Sequence, residues 1–173
     1  MTYLTVKTLS PLDAGYLAGI IDGEGTITLT QRNQNKQRGL VVTVSSTEMS
    51  ILKHVQEITG VGKITNKRVT KDNHTPSFTY QVANRQALDL LNQIAAHLRS
   101  YKADRARLAL QDYTRLTPRN GRYSPVQLQE RTQFIEKFLT ILESELLEPC
   151  PGNKIFPRST PFFFIRPHPL SVP

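Results

Sequence analysis

The sequence has few of the features on which secreted and membrane proteins depend. Its 173 residues include a single cysteine, Cys150, which excludes an internal disulfide framework and a cysteine-rich zinc site. No apolar run approaches the roughly 20 residues that a membrane-spanning helix needs. The first residues, MTYLTVKTLSPLD, lack the apolar core of a signal peptide. These absences predict an intracellular protein that works in a reducing environment.

Acidic residues are also scarce. There are 14 Asp and Glu against 22 Lys and Arg, which gives a net charge of +8. The surplus lies in two blocks, residues 32–74 and 99–131, each with a net charge of +5. This clustering favours a surface that neutralises phosphate groups, because a surplus that serves only solubility has no reason to cluster. Two solvated faces without a partner are the alternative.

The hydrophobic pattern predicts one α+β domain. Ser10 and Pro11 are typical of a helix start, and polar and apolar residues alternate over 26–32. Continuing along the chain gives the order α-ββ-α-ββ-α-α-α, with further strands near 40–46, 63–70 and 77–82 and helices near 47–59, 84–98, 103–116 and 125–148. Strands paired in hairpins imply an antiparallel sheet with helices on one face. The other face of the sheet is then uncovered and polar.

The last 25 residues differ from the rest of the chain. Seven of the 11 prolines lie in residues 149–173, which excludes a helix or a central strand there. We therefore predict a folded domain over residues 1–148 and an extended, proline-rich arm over residues 149–173. The apolar residues 162–165 provide the arm with a segment that can dock.

Three glycines in the first predicted helix are the sharpest feature of the sequence. Gly15, Gly19 and Gly23 recur every four residues, although a glycine inside a helix costs about 1 kcal/mol relative to alanine. On one helical face they allow another backbone to approach closely, and an identical helix from a second subunit fits this geometry. Close packing against the chain's own sheet is the alternative. The residues predicted at the subunit interface are Gly15, Ala18, Gly19 and Asp22.

Two carboxylates, those of Asp22 and Glu24, follow at the C-terminal end of that helix. Negative charge at this position opposes the helix dipole unless a cation neutralises it. Two such helix ends meeting at a two-fold axis would bring carboxylates together, an arrangement that suits Mg²⁺. Without the dimer, the segment is best interpreted as an acidic turn.

Residues 17–25, LAGIIDGEG, resemble the nine-residue signature of the LAGLIDADG homing endonucleases. The resemblance covers about residues 10–148 and includes the placement of one hairpin directly after the motif and another after the next helix. The motif occurs once, and members of the family with one motif act as homodimers. The resemblance thus implies an α-ββ-α-ββ-α core with a saddle-shaped antiparallel sheet that binds double-stranded DNA in the major groove.

The resemblance also implies a chemistry. It is Mg²⁺-dependent hydrolysis of both strands of a long pseudo-palindromic target, which leaves short 3′ overhangs and promotes intron homing. Mn²⁺ is expected to substitute for Mg²⁺, whereas Ca²⁺ is expected to support binding without cleavage. No membrane and no small-molecule substrate is implied. The compartment, whether a mitochondrion, a chloroplast or a prokaryotic cytoplasm, is left open.

The family's catalytic positions transfer to three side chains and one carbonyl. Glu24, where the family commonly has Asp, is the expected metal ligand together with the carbonyl of Gly23. Lys102 is the expected basic catalytic residue, and its alternative is an exposed lysine. Ser46 stands where the family often has a solvent-orienting Gln, and its alternative is a cap of the following helix. Arg99 and Arg105 are possible substitutes for Lys102.

Strand residues that alternate away from the apolar core are the expected DNA contacts. They carry hydroxyl, amide or cationic groups, which hydrogen-bond base edges, and their alternative is an ordinary exposed polar surface. The predicted set is Thr28, Thr30, Arg32, Gln34, Lys36, Arg38, Thr43, Thr65, Lys67, Thr79 and Gln81.

Two other functions compete with the endonuclease. One is an RNA-binding intron maturase of the same fold with little or no cleavage. The other is a DNA-binding protein without chemistry. Glu24 and Lys102 are both present, which favours the enzyme.

Overall fold

The computed structural model describes residues 4–31, 37–66, 75–118 and 121–147. Its elements are α1 (Pro11–Glu24), β1 (Gly25–Thr30), β2 (Gly39–Ser46), α2 (Met49–Thr59), β3 (Lys63–Asn66), β4 (Phe78–Ala83), α3 (Asn84–Ile94), α4 (Lys102–Asp112) and α5 (Pro125–Leu147). This order confirms the predicted α-ββ-α-ββ-α-α-α arrangement. Among the predicted features, Arg32, Gln34, Lys36, Lys67 and the arm 149–173 lie outside the described residues.

The four strands form one antiparallel sheet in the order β1-β2-β4-β3. Because successive side chains of a strand point to opposite faces, the register decides which residues share a face. Ile27, Val42 and Val82 lie in one row and are buried, together with Leu29, Leu40, Val44 and Tyr80. Apolar residues of all five helices complete this core. The predicted α+β fold with an antiparallel sheet is confirmed.

Serine side chains cap two of the helices, and the first of these caps, at Ser10, is predicted from the sequence. Ser10 Oγ accepts a hydrogen bond from Asp13 N (3.1 Å), and Pro11 is the first residue of α1. Ser124 Oγ accepts from Gln127 N, and Ser124 N donates to Gln127 Oε1, which is a capping box at the start of α5. Asn84 does not cap α3. It is the first residue of α3, and its Oδ1 accepts from the Tyr113 hydroxyl.

No loop separates α1 from β1. Gly25 is the first residue of β1, and its N–H donates to the carbonyl of Ile21 in the last turn of α1. A Cβ on Gly25 would lie 2.7 Å from Ile21 Cα and 3.1 Å from the carbonyl oxygen of Thr43. Only glycine tolerates this approach, because both neighbours are backbone. The junction places Glu24 directly between the end of the helix and the sheet.

Arginines cover the outer edge of β1. Arg105 of α4 is buried and donates to the carbonyl of Ile27 (3.0 Å), and Arg38 donates to the carbonyl of Leu29 (3.2 Å). Buried Arg131 of α5 donates to the carbonyls of Leu116 and Arg38. Such bonds satisfy backbone groups that an edge strand would otherwise expose. In the described part of the chain, no helix is long and apolar enough to cross a membrane.

Candidate functional site

The C-terminal end of α1 lies against the N-terminal end of α4. Lys102 Nζ donates to the carbonyl oxygens of Ile21 and Asp22, each at 2.8 Å. Lys102 is only 5% exposed, so its interpretation as an exposed lysine is wrong. The ammonium group occupies the negative end of the α1 dipole, where a cation stabilises the helix.

The carboxylate of Asp22 binds the segment that precedes α4. It accepts hydrogen bonds from Arg99 N (2.7 Å), Ser100 N (3.4 Å) and Ser100 Oγ (2.6 Å). Burial raises the pKa of Asp22, but these hydrogen bonds and the charge of Lys102 outweigh it and hold the pKa below its ordinary value. The carboxylate therefore acts as an anchor for the start of α4.

Burial also governs the ionisation of Lys102. It lowers the pKa of Lys102, while the charges of Asp22 and Glu24 act in the opposite direction and Arg105 adds to the lowering. The carboxylates keep the charged form favourable in a site that water reaches poorly. Lys102 and Glu24 therefore belong to one electrostatic cluster at the end of α1.

Glu24 is exposed at the last position of α1. It lines an open cavity of about 410 Å³ with Ser45, Ser46, Thr47, Ile51 and Ser77. The structure thus places Glu24 and Ser46 in the same cavity. Lys102 contacts the C-terminal end of α1 and is not among the residues that line this cavity. Ser46 Oγ accepts from Glu48 N (3.0 Å), and the N-cap position of α2 is Glu48. Ser46 therefore stabilises the turn before α2 and is not its cap.

The donors at this end of α1 are oxygens only. Glu24 has a carboxylate that faces the cavity, and the carbonyl of Gly23 precedes it in the chain. The Asp22 carboxylate and the carbonyls of Ile21 and Asp22 are already engaged. Within the described residues, no group of three or more His, Cys, Asp or Glu could hold a metal ion. Since Mg²⁺ takes about six oxygen ligands, these residues fit one part of a magnesium site.

The uncovered face of the sheet, which we call the polar sheet face, collects the predicted DNA contacts that the structure describes, except Arg38. One row crosses all four strands through Thr26, Thr43, Gln81 and Lys63. The complete face consists of Thr26, Thr28, Thr30, Thr43, Ser45, Lys63, Thr65, Thr79 and Gln81, with Val41 and Ala83 as apolar members.

Three polar members of the polar sheet face were not among the predicted DNA contacts: Thr26, Ser45 and Lys63. The two-residue spacing of Lys63 from Thr65 is a signal that could have found it. One nitrogen of the Arg38 guanidinium donates to the carbonyl of Leu29 at the edge of β1, and the DNA contact of Arg38 stays a prediction. Arg38 therefore supports the sheet edge.

The glycine face of α1 is open. Among the described residues, Cβ atoms added to Gly15, Gly19 and Gly23 would meet no atom outside their own turn of the helix within 4 Å, and Leu12 and Tyr16 on the same face are 83% and 42% exposed. Packing of these glycines against the chain's own sheet, the alternative, is therefore wrong. The opposite side of α1 faces the core through Ala14, Leu17, Ala18 and Ile21.

Two residues predicted at the subunit interface are engaged within the chain. Ala18 is 0% exposed and belongs to the core, so no partner can reach it. Asp22 binds Arg99 and Ser100 through its carboxylate. Gly15 and Gly19 are the predicted interface residues that lie on the open face.

An open antiparallel sheet, helices on its apolar side and an acidic residue at the end of a glycine-rich helix define the homing-endonuclease fold. The family model for the LAGLIDADG endonuclease matches residues 17–115. The match covers more than half of the 173 residues, and the chain belongs to the LAGLIDADG endonuclease family. None of the curated protein sequences matches the chain.

Several solved structures of homing endonucleases resemble the chain. The homing endonuclease I-CvuI in complex with its target and Ca²⁺ is 25% identical, with a TM-score of 0.60 over 75% of this chain and 82% of that one. I-CvuI with the uncleaved I-CreI target and Mg²⁺ is 24% identical, with a TM-score of 0.61 over the same shares. The archaeal intron-encoded homing endonuclease I-Vdi141I, complexed with DNA, is 14% identical, with a TM-score of 0.53 over 75% of this chain and 84% of that one.

Proposed function

We propose that this protein is a site-specific DNA endonuclease. It acts as a homodimer, binds a long pseudo-palindromic target and makes a double-strand break with short 3′ overhangs, which promotes intron homing. The observation that carries the proposal is the position of Glu24. This exposed carboxylate lies where the open glycine face of α1 ends and the sheet begins.

The open glycine face supports the homodimer. Without Cβ atoms at Gly15, Gly19 and Gly23, two copies of α1 can cross with their backbones close together. The crossing buries Leu12, which is 83% exposed, and the exposed part of Tyr16. A two-fold axis through the crossing brings two copies of Glu24 together, and each chain then contributes the ligands that the other lacks.

The polar sheet face supports binding in the DNA major groove. Its threonine hydroxyls and the Gln81 amide offer donors and acceptors of the kind that hydrogen-bond base edges. Lys63 lies on β3, the edge strand of the sheet, where its ammonium group is exposed. An edge position suits contact with a phosphate at the rim of the groove. These contacts orient the target so that its scissile phosphates lie near Glu24.

The residues at the end of α1 then divide the chemistry among them. Glu24 and the Gly23 carbonyl would hold a divalent cation, which when bound would supply Lewis-acid polarisation of the phosphate and activation of water. Lys102 donates to the carbonyls of Ile21 and Asp22. It thereby holds a positive charge at the end of α1, near the reacting phosphate. Ser45 and Ser46 line the cavity beside Glu24 and can hydrogen-bond water there.

Replacement of Glu24 tests the proposal. Glu24→Gln keeps the size of the side chain but removes the charge, and we expect double-strand cleavage to fall on the order of 10³-fold because the cation is no longer held. Binding of the target in Ca²⁺ should change little. Cleavage sites are found by incubating genomic DNA that lacks the intron with protein and Mg²⁺, and then sequencing the captured ends.

The matched control is Glu57→Gln, which removes an exposed carboxylate from α2, away from the cavity. It should cut at the wild-type rate. Full Mg²⁺-dependent cutting by Glu24→Gln would refute the assigned metal ligand. Wild-type protein that binds the intron RNA but cuts no DNA would support the maturase instead.

A further inference from the structure

Ser100 makes two hydrogen bonds that join α1 to α4. Its hydroxyl donates to Asp22 Oδ1 at 2.6 Å and accepts from the backbone N–H of Lys102 at 3.3 Å. Asp22 lies in the last turn of α1, and Lys102 is the first residue of α4. One hydroxyl group thus connects the carboxylate of one helix to the backbone of the other.

The link closes a ring of contacts around the end of α1. From Asp22 the ring passes through Ser100 to the backbone of Lys102, and then along the lysine side chain to the carbonyls of Ile21 and Asp22. The side chain of Lys102 has four rotatable bonds, so its ammonium group is held only as firmly as its backbone. Glu24 follows Asp22 by two residues, and its position depends on the same helix turn.

We propose that Ser100 is a positioning residue, which holds the Lys102 ammonium group and the Glu24 carboxylate in a fixed relation by tying the start of α4 to Asp22. Ser100 itself is not among the residues that line the cavity beside Glu24. Its effect on cleavage passes through Lys102. The inference rests on the proposed endonuclease function for its consequence, but the link itself can be measured without cleavage.

Hydrogen exchange measures the link directly. In full-length Ser100→Ala, the hydrogen bonds of the hydroxyl to Asp22 and to Lys102 N are both lost. We therefore expect the backbone amides of residues 99, 100 and 102 to exchange about tenfold faster. Ser100→Thr keeps a hydroxyl and should restore most of the protection. Exchange that is unchanged in Ser100→Ala would overturn the proposal.

Cleavage kinetics measure the consequence. For Ser100→Ala we expect kcat to fall on the order of 10- to 100-fold, because a catalytic group is displaced by a fraction of an ångström or more. The Kd for the target in Ca²⁺ should stay within about twofold, since no base or phosphate contact is removed. Ser100→Thr should recover most of the lost kcat.

Ser124→Ala is the matched control. It removes the serine cap of α5 and lowers the stability of the protein by a similar mechanism, yet the hydrogen bonds described for Ser124 all lie within the first turn of α5. It should leave kcat unchanged. An equal loss of kcat in Ser100→Ala and Ser124→Ala would assign the effect to stability and overturn the proposal. Wild-type protein that cuts no DNA would refute the endonuclease function. The hydrogen-exchange result would then test by itself whether Ser100 ties α4 to Asp22.

Discussion

Lys102 brings a positive charge to a place that water scarcely reaches. The ammonium group replaces its lost hydration with two carbonyls of α1 and with the nearby charges of Asp22 and Glu24. A buried lysine without such partners would lose its proton. The carbonyl of Asp22 is one of the last in the helix, which have no intrahelical partner, and that of Ile21 accepts from Lys102 as well as from Gly25 N. Each group therefore satisfies the other, and the helix end becomes rigid.

Tyr113 holds a second junction, where β2, α3 and α4 meet. Its hydroxyl accepts from Leu40 N (2.9 Å) and donates to Asn84 Oδ1 (3.0 Å). Burial raises the pKa of Tyr113, although the Leu40 hydrogen bond and the charges of Arg131 and Arg85 act in the opposite direction. The neutral phenol is consequently the form that the folded chain favours.

The raised pKa predicts how stability depends on pH. The stabilisation from Tyr113 is complete below the ordinary tyrosine pKa of about 10 and is lost as the pH rises through the folded-state value. At pH 7 we expect Tyr113→Phe to lower the free energy of unfolding by about 1–2 kcal/mol, because Leu40 N loses its acceptor. Urea unfolding of both proteins from pH 7 to pH 11 should show this difference shrinking. A constant difference would contradict the prediction.

At the scale of elements, α1 has two faces with opposite roles. Ala14, Leu17, Ala18 and Ile21 pack into the core, while Gly15, Gly19 and Gly23 face outward. Nothing within the described part of the chain requires glycine at the three outward positions, and each glycine weakens the helix by about 1 kcal/mol relative to alanine. The proposed close crossing with a second copy of α1 would account for these three glycines.

Gly19→Leu distinguishes the effect of this glycine on helix stability from its effect on the contact between subunits. A Cβ at Gly19 meets nothing within 4 Å among the described residues outside its own turn, so we expect a leucine to fit in one chain and its higher helix propensity to stabilise the monomer by up to about 1 kcal/mol. The same side chain prevents a close helix crossing, so we expect a folded monomer in sedimentation velocity experiments and no DNA cleavage.

Gln129→Leu is the matched control for this substitution. It places the same apolar side chain at an exposed position of α5 and should leave the dimer intact. An active dimer formed by Gly19→Leu would refute the helix interface.

Local pattern was sufficient to predict the sheet and its polar face. The alternation of Thr26, Thr28 and Thr30 with Ile27 and Leu29 is confirmed by the register and burial of β1. The limits of the prediction lie where distant parts of the chain meet. Ser100 and the contact of Arg38 with Leu29 were missed because the partners, Asp22 and Leu29, are chosen by packing and not by spacing.

At the scale of the whole molecule, the positively charged residues form two groups: buried residues that bind carbonyls and residues on the surface. In the block 99–131, Lys102, Arg105 and Arg131 are buried and bind carbonyls. Arg107 and Arg115 on the surface form ion pairs with Asp104, and with Asp112 and Glu130. Much of this block therefore stabilises the fold. Lys63 of the other block lies on the polar sheet face.

This division predicts which cations control the salt dependence of DNA binding. The logarithm of the binding constant falls with the logarithm of the salt concentration by about 0.9 for each neutralised phosphate. Lys63→Gln should therefore reduce the slope by about 0.9 per chain, or about 1.8 for a homodimer. Fluorescence anisotropy in Ca²⁺ between low and physiological salt measures the slope.

Arg107→Gln removes an exposed charge that is paired with Asp104, and it should leave the slope unchanged. A larger change in the slope for Arg107→Gln than for Lys63→Gln would show that the helical block contacts the phosphates.

The sequence by itself determined the element order, the antiparallel sheet with one polar face, the family motif and the acidic position Glu24. These follow from short-range physics, since periodicity, caps and spacing are local properties of the chain. Only the tertiary structure decided the rest. It showed that the glycine face is open, that Ala18 is buried, that Lys102 holds the end of α1 and that Ser100 joins the two helices. Those facts depend on how distant parts of the chain pack and on which of their groups hydrogen-bond to one another. No local pattern encodes that choice.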